Sequence, residues 1–101
     1  MAAAEFKLFV MPRANQQTRD LLQKAFSLGF RDELITTLKT SHDELRSAPE
    51  ALGDPAHRTR KQGGRVYGAV VEPIYIRYAV FEHEKMVFLL DVKPLSRFFP
   101  E

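Results

Sequence analysis

The chain has no cysteine among its 101 residues and only five glycines. Without cysteine it can form neither disulfide bonds nor a reactive thiolate, and this composition suits the cytoplasm, where we expect the protein to be. No apolar run approaches the roughly 18 residues that a membrane-spanning helix needs. The start, MAAAEFKLFVMPRA, carries one lysine inside a short apolar run, which indicates a first strand after a flexible tip and not a signal peptide.

Motifs for metal, phosphate or nucleophilic chemistry are also missing. The three histidines, His42, His57 and His83, fall in a predicted helix, loop and turn, and no two are at ligand spacing. There is no phosphate-binding loop and neither GxGxxG nor GxSxG, so we expect no metal and no cofactor. His42 lies within an apolar helical stripe, which suits a boundary histidine better than a pH-sensitive contact or a base.

What the sequence does contain is a strong β pattern over Arg65–Leu95. It predicts three strands, Arg65–Val71, Ile74–Phe81 and Met86–Val92, rich in Val, Ile, Tyr and Phe. The links between them are too short for a parallel crossover, so the strands form an antiparallel meander. With 45% hydrophobic and 28% charged residues, the chain fits one globular domain over 1–101.

The pattern of the first half of the sequence predicts one strand and two helices. The strand is Glu5–Met11, and the first helix has Asn15 as its candidate N-cap and Gly29 as the residue after its end. A second amphipathic helix begins near Arg31 and is limited by Ala48-Pro49. The short link between the helices implies an antiparallel hairpin covering the meander. We therefore expect an α+β fold, with a turn-rich connector over 47–55 containing one short helical turn.

Two groups of basic residues stand out. Four cations and no carboxylate lie between Pro55 and Val71, a run that attracts a polyanion or an acidic protein but is also typical of a solvated loop. On the middle strand, alternation separates an apolar face from a face with Tyr75 and Arg77, which we expect Arg65 and Tyr67 to join. Guanidiniums beside phenols can hold phosphates and stack on bases, although such pairs are also ordinary cross-strand contacts. The loop cations are Arg58, Arg60, Lys61 and Arg65.

The order of these elements, and several short words, resemble the RelE/ParE toxin superfamily of bacterial toxin–antitoxin systems. The words are Leu52-Gly53-Asp54-Pro55, the glycines at 63–64, Ile74-Tyr75-Ile76-Arg77-Tyr78-Ala79-Val80 and Val87-Phe88-Leu89-Leu90-Asp91-Val92. The resemblance covers nearly the whole chain and implies a RelE-like domain, a cognate antitoxin as partner and a toxin role in a type II system. A homodimer is compatible with it.

For ribonuclease members, the resemblance implies metal-independent cleavage of ribosome-associated mRNA. It implies Arg65, Tyr75 and Arg77 as catalytic residues, with RNA held by Arg58, Arg60, Lys61, Lys93 and Arg97. This chain departs from the family at three positions. Tyr75 stands where the family has an arginine, with Arg77 two residues away on the same face. Pro94-Leu95 replaces a His-Arg pair, and Phe99 replaces a proton-transferring tyrosine. Arginine is a poor proton-transfer group because its pKa is so high. The alternatives are a noncatalytic RNA- or protein-binding module on the same fold, or a gyrase-poisoning toxin of the ParE type.

Overall fold

A computed structural model describes residues 5–57 and 64–100. Within these ranges the chain forms five strands and three helices. They are β1 (Lys7–Val10), α1 (Pro12–Leu28), α2 (Arg31–Ser47), α3 (Pro49–Leu52), β2 (Asp54–His57), β3 (Arg65–Val71), β4 (Ile74–Phe81) and β5 (Met86–Pro94).

All five described strands belong to one sheet, in the order β1-β5-β4-β3-β2. The predicted antiparallel meander is confirmed as β3, β4 and β5, and β1 is added to it in parallel beside β5. Asp54–His57, which the sequence analysis treated as part of a connector and loop, instead forms edge strand β2 against β3. An edge position tolerates Pro55, because the missing N–H leaves no gap in the interior of the sheet.

Helix boundaries follow local backbone chemistry. The prediction that Asn15 caps α1 is wrong: Met11 is the N-cap and Pro12 the first helical residue, where a proline loses no hydrogen bond. The predicted end is confirmed, since Gly29 adopts φ 88° and its N–H bonds back to Ala25 and Phe26. Helix α2 ends before Ala48, and the short helical turn expected in the connector is α3.

The core lies between the helices and one face of the sheet. The α+β architecture predicted from sequence is therefore confirmed. Tyr78 lies at the centre of this core with no exposed surface, and its hydroxyl donates a 2.6 Å hydrogen bond to the carbonyl of Pro49. Other buried members come from both layers, among them Ala14, Leu21, Ala25, Leu34, Leu38, Leu45, Ile74, Ile76, Val80, Val87, Leu89 and Val92.

Candidate functional site

The outward face of the sheet, opposite the core, carries an arginine held by a buried carboxylate. Arg77 of β4 lies directly across from Asp91 of β5. Its Nε donates a 2.9 Å hydrogen bond to Asp91 Oδ2, and a terminal guanidinium nitrogen lies 2.6 Å from the same oxygen. Asp91 is only 1% exposed, whereas the Arg77 side chain is 38% exposed. The carboxylate thus fixes one edge of the guanidinium and leaves the rest facing solvent.

Helix α1 supplies further partners for the same carboxylate. Arg13 Nε lies 3.1 Å from Asp91 Oδ1, and the Gln17 amide donates to that oxygen at 3.3 Å. The Gln17 carbonyl oxygen accepts from the backbone N–H of Val92 at 2.8 Å, beyond the last β1–β5 pair. Burial alone would raise the pKa of Asp91, but the hydrogen bond and charge of Arg77, with Arg13 and Gln17, lower it overall. Asp91 is therefore ionised at neutral pH.

Tyr75 and Lys93 extend this site along the sheet. They face each other across β4 and β5, two residues from the Arg77–Asp91 pair, and Lys93 is exposed. The Tyr75 hydroxyl leans over Gly68 of β3, where the Cβ of any other residue would overlap it. Gly68 thereby lets the phenol lie flat against the strand. We call Arg13, Tyr75, Arg77, Asp91 and Lys93 the Arg77 site; its three cations outnumber its one carboxylate.

An aromatic cluster continues the outward face toward the other end of the sheet. Phe88 stacks on Phe9 with ring centroids 5.1 Å apart and meets Phe81 edge-on at 5.5 Å. Phe9 is 41% exposed, while Phe81 and Phe88 are half-buried. Each ring–ring contact of this kind stabilises the packing of the pair beyond the area that it buries. The outward face thus has a basic part and an aromatic part.

The expectation that Arg65 and Tyr67 join Tyr75 and Arg77 on this face is wrong. The register pairs Arg65 with Val80 and Tyr67 with Tyr78, which places both on the core side. Tyr67 is 4% exposed and stacks on Tyr78 at 5.5 Å, with the rings 9° from parallel. Arg65 is thus separated by the sheet from Tyr75 and Arg77, and the three do not form one constellation.

Arg65 belongs instead to a second cluster, at the end of the sheet beside α3. A cavity of about 210 Å³ is lined by Glu50, Arg65, Val80, Glu82 and His83. The Tyr67 hydroxyl donates to Glu50 at 3.4 Å. A hydrogen bond that protonated Glu50 donates to Glu82 raises the pKa of Glu50, helped by burial and by the charge of Glu82. Burial, and then the charge of Glu50, raise the pKa of Tyr67, which keeps its proton at neutral pH.

The segment after β5 contains an arginine that forms an ion pair and a phenylalanine that is buried. Arg97 pairs with the Glu72 carboxylate and lies over the Phe98 ring, with 5.1 Å between the guanidinium carbon and the ring centroid. Phe99 is 6% exposed and meets Phe30 edge-on at 5.2 Å. Phe99 is therefore a core residue, at the station where the resembling family has a proton-transferring tyrosine.

Three predicted RNA-binding residues, Arg58, Arg60 and Lys61, lie outside the described residues. His42 is half-buried on α2, and burial followed by the charge of Arg46 lowers its pKa, so that it is neutral at pH 7. In residues 5–57 and 64–100, no group of three or more His, Asp or Glu side chains is placed to hold a metal ion. None of the helices in that part of the chain is long and apolar enough to cross a membrane.

The sequence analysis missed Asp91, Arg13 and Gln17, which organise the Arg77 site. One signal was available: Asp91 is a carboxylate inside the apolar word VFLLDV, where an unpaired charge would be costly and a cationic partner is needed. Nothing local identified Arg13 and Gln17 as its partners. Chemically, the site presents guanidiniums held by Asp91 and an exposed ammonium beside a phenol, a combination that binds anions.

Comparison with known proteins supports the fold and no more. No protein-family model matches the chain. No curated protein matches it either. Among solved structures, it is similar to a chain described as "Chromosomal ParDE TA system from P. aeruginosa", with a TM-score of 0.65 and 13% identity over 92% of this chain and 99% of that one. At this identity the likeness shows the fold, and the RelE/ParE-like architecture expected from the sequence is confirmed.

Proposed function

We propose that this protein is the toxin-like component of a two-protein toxin–antitoxin system. The observation that supports the proposal is the fold. This chain shares its fold, over nearly its full length, with a chain of the ParDE system. A fold hosts many functions, so this support is an argument by analogy. The Arg77 site adds a second argument from chemistry, since an exposed surface with three cations suits a polyanionic target.

The arrangement of side chains favours a toxin that acts by binding over one that cleaves RNA. General acid–base cleavage needs proton-transfer groups near the phosphate held by the arginine. Arg65 is on the far side of the sheet from Arg77, and Phe99 is buried and has no exchangeable proton. Tyr75 is the phenol on the Arg77 side, so a ribonuclease reaction at this site would depend on it. The catalytic roles of Arg65, Tyr75 and Arg77 stay predictions.

The superfamily that the sequence resembles has two branches, and each suggests one candidate target. A gyrase poison acts by binding without hydrolysis, which agrees with the side-chain arrangement. Ribosome-associated mRNA is the second candidate, favoured by the exposed Lys93 beside Tyr75, because a cation next to a phenol can hold a phosphate while the ring stacks on a base. The antitoxin, expected from a neighbouring gene, would relieve toxicity by either route.

Induced expression in a bacterial host tests the toxin role. We expect growth arrest with the wild type and relief when the neighbouring gene is co-expressed. Arg77→Gln together with Lys93→Gln removes two cations of the Arg77 site and should restore growth. The matched control is Arg46→Gln with Lys39→Gln, which removes two exposed cations from α2. Thermal melting of each purified variant shows that it is folded.

Four outcomes separate the alternatives. Absence of arrest at a verified level of folded wild-type protein contradicts the toxin role. Arrest that both double variants retain contradicts the part assigned to the Arg77 site. Accumulated gyrase–DNA cleavage complexes would identify gyrase as the target and show that the protein acts by binding. Cut mRNA that disappears in Tyr75→Phe would instead show catalysis and overturn the preference for binding.

A further inference from the structure

Strand β1 forms one edge of the sheet, and no strand in the described part of the chain pairs with its outer side. The backbone N–H of Met11 donates to the carbonyl of Leu89 at 3.0 Å, and that of Lys7 donates on the same side at 2.8 Å. Successive residues of a strand present their N–H and C=O groups to opposite sides. Those of Leu8 and Val10 therefore point away from β5, where another strand could pair with them.

Exposed apolar side chains are concentrated at this edge. Six large hydrophobic side chains are exposed in the described part of the chain, and three of them are consecutive at and just after the end of β1. They are Phe9 at 41%, Val10 at 38% and Met11 at 36%. An unpaired strand edge with apolar side chains on it is a template for a further strand.

A second copy of β1 fits this edge in an antiparallel register with a twofold axis at Phe9. Residues that face each other in a hydrogen-bonded pair exchange both N–H···O bonds. With the axis at Phe9, Leu8 of each copy faces Val10 of the other, and the two pairs make four hydrogen bonds. All the outward N–H and C=O groups of these two residues are then used.

The neighbouring registers use fewer of these groups. An axis at Leu8 would pair Val10 with Phe6, whose N–H already donates to the carbonyl of Arg46 at 2.8 Å. An axis at Val10 would pair Leu8 with Pro12, which has no N–H. The hydrogen-bonding groups therefore favour the axis at Phe9.

The side chains are self-complementary in the same register, as a twofold interface requires. The two Phe9 rings lie side by side across the axis on the outward face, where each also stacks on Phe88 of its own copy at 5.1 Å. Facing aromatic residues of this kind stabilise an antiparallel pair. The aromatic cluster thus becomes continuous from one copy to the other.

Charges also fit this register. Lys7 faces Met11 of the second copy, so the two lysines are about 14 Å apart along the strands and are not facing neighbours. At the ends of the paired segment, the exposed Glu5 of one copy is directed toward Arg13 of the other, whose side chain is 70% exposed. These are opposite charges, which favour association.

We propose that β1 pairs antiparallel with β1 of a second copy across a twofold axis at Phe9, which joins the two five-stranded sheets into one continuous sheet. The axis is perpendicular to the sheet, so both outward faces lie on the same side of the dimer. The two Arg77 sites then share one surface, and a long polyanion can contact both. The assembly is testable whether or not the protein is a toxin.

Introduced cysteines test the register, because the natural chain has none. Phe9→Cys places two thiols across the axis with the Cα atoms about 4.5 Å apart, within range of a disulfide. Lys7→Cys is the matched control on the same strand and face, where the Cα atoms would be about 14 Å apart. Mild oxidation should give a covalent dimer of Phe9→Cys but not of Lys7→Cys.

Charge substitutions at the axis test the self-pairing of Phe9. Sedimentation equilibrium of the full chain measures the dissociation constant of the dimer. Phe9→Lys and Phe9→Glu each place like charges across the axis, and each should weaken the dimer by about tenfold or more. A mixture of the two should associate at least about tenfold more tightly than either variant alone. Phe26→Lys and Phe26→Glu, which change an exposed phenylalanine of α1, should leave the affinity of the wild type.

Val10→Pro tests the backbone pairing. The N–H of Val10 points away from β5, so a proline there removes no hydrogen bond to β5, whereas it removes two bonds of the dimer. It should weaken the dimer by about tenfold or more. Val10→Thr keeps the N–H and the branched shape and should leave the affinity unchanged. Thermal melting of each variant shows that it is folded.

Four results would overturn the proposal. The first is a dissociation constant above about 1 mM for the folded wild type. The second is a dimer that Phe9→Lys and Val10→Pro both retain at full affinity, and the third is equal cross-linking of Phe9→Cys and Lys7→Cys. The fourth is a monomer whose β1 amide signals shift only when the product of the neighbouring gene is added, which would assign this edge to a strand of a partner protein.

Discussion

Replacing Asp91 with asparagine removes the charge at the centre of the Arg77 site while keeping the size of the side chain. The Asp91 side chain is 2% exposed, and the partner side chains Arg77 and Arg13 are 38% and 70% exposed. Breaking a fully buried pair costs about 3–5 kcal/mol, and a hydrogen bond to a charged group is worth about 1.5–3 kcal/mol. Because water screens both guanidiniums, we expect a loss of about 2 kcal/mol in the free energy of unfolding.

Urea unfolding at pH 7 measures this loss, and a fall of about 10 °C in Tm should accompany it. Asp43→Asn is the matched control, because Asp43 also pairs with an arginine, Arg46, at 3.0 Å but its side chain is 75% exposed. Its loss should stay below about 0.5 kcal/mol. Equal losses in the two variants would refute the argument from burial.

The same comparison has a pH dependence whose sign follows from the lowered pKa of Asp91. A carboxyl that ionises more readily in the folded state stabilises it above the ordinary pKa, and this stabilisation is lost as the pH falls through the folded value. The difference between wild type and Asp91→Asn should be full at pH 7. It should shrink as the pH falls below 3.8, the ordinary value. A constant difference would show that the ionised form is not what stabilises the fold.

Three further substitutions test other contacts. Tyr78→Phe leaves the carbonyl of Pro49 unpaired in the core and should lower the free energy of unfolding by about 1–3 kcal/mol in urea titrations; no loss would contradict the 2.6 Å hydrogen bond. The raised pKa of Glu50 means that stabilisation from its bound proton is present below 4.5 and lost as the pH rises through the folded value. Glu50→Gln keeps a hydrogen-bond donor toward Glu82, so the Tm of the variant should rise relative to that of the wild type as the pH increases. If the two Tm values change in parallel with pH, Glu50 and Glu82 do not share a proton. Gly53→Ala places a Cβ 2.5 Å from a backbone carbonyl of β3 and should lower the free energy of unfolding in urea by about 1–3 kcal/mol. No loss would contradict this close approach of the two backbones.

The meander was predictable because its signals are local. Alternation and tight turns gave Arg65–Val71 and Ile74–Phe81 with the bounds that the structure has, and Met86–Val92 falls short by only two residues. Strand β2 was missed because Asp54-Pro55 has the composition of a turn, and only pairing with β3 makes it a strand. The parallel position of β1 depends on a contact between distant segments, which no local pattern encodes.

The candidate site was less predictable, for two different reasons. The face of Tyr67 could have been deduced: a two-residue turn at Glu72-Pro73 pairs Val71 with Ile74, and counting back pairs Tyr67 with Tyr78. The partners of Asp91 could not, because Arg13 reaches it only once β1 and α1 have docked beside β5. Lys93 and Tyr75, in contrast, are neighbours that the meander itself brings together.

The parallel pairing of β1 with β5 also determines when the fold can be completed during synthesis. The paired residues Lys7 and Met86 are about 80 positions apart in the chain. At ribosomal rates of about 5–20 residues per second, β1 waits about 4–16 s before its partner is made. The carboxylate that organises the Arg77 site emerges with the same late strand. Nascent chains that stop before β5 therefore lack the strand that joins β1 to the rest of the sheet and the carboxylate at the centre of that site, so neither the five-stranded sheet nor the site can form before Met86–Pro94 has been made.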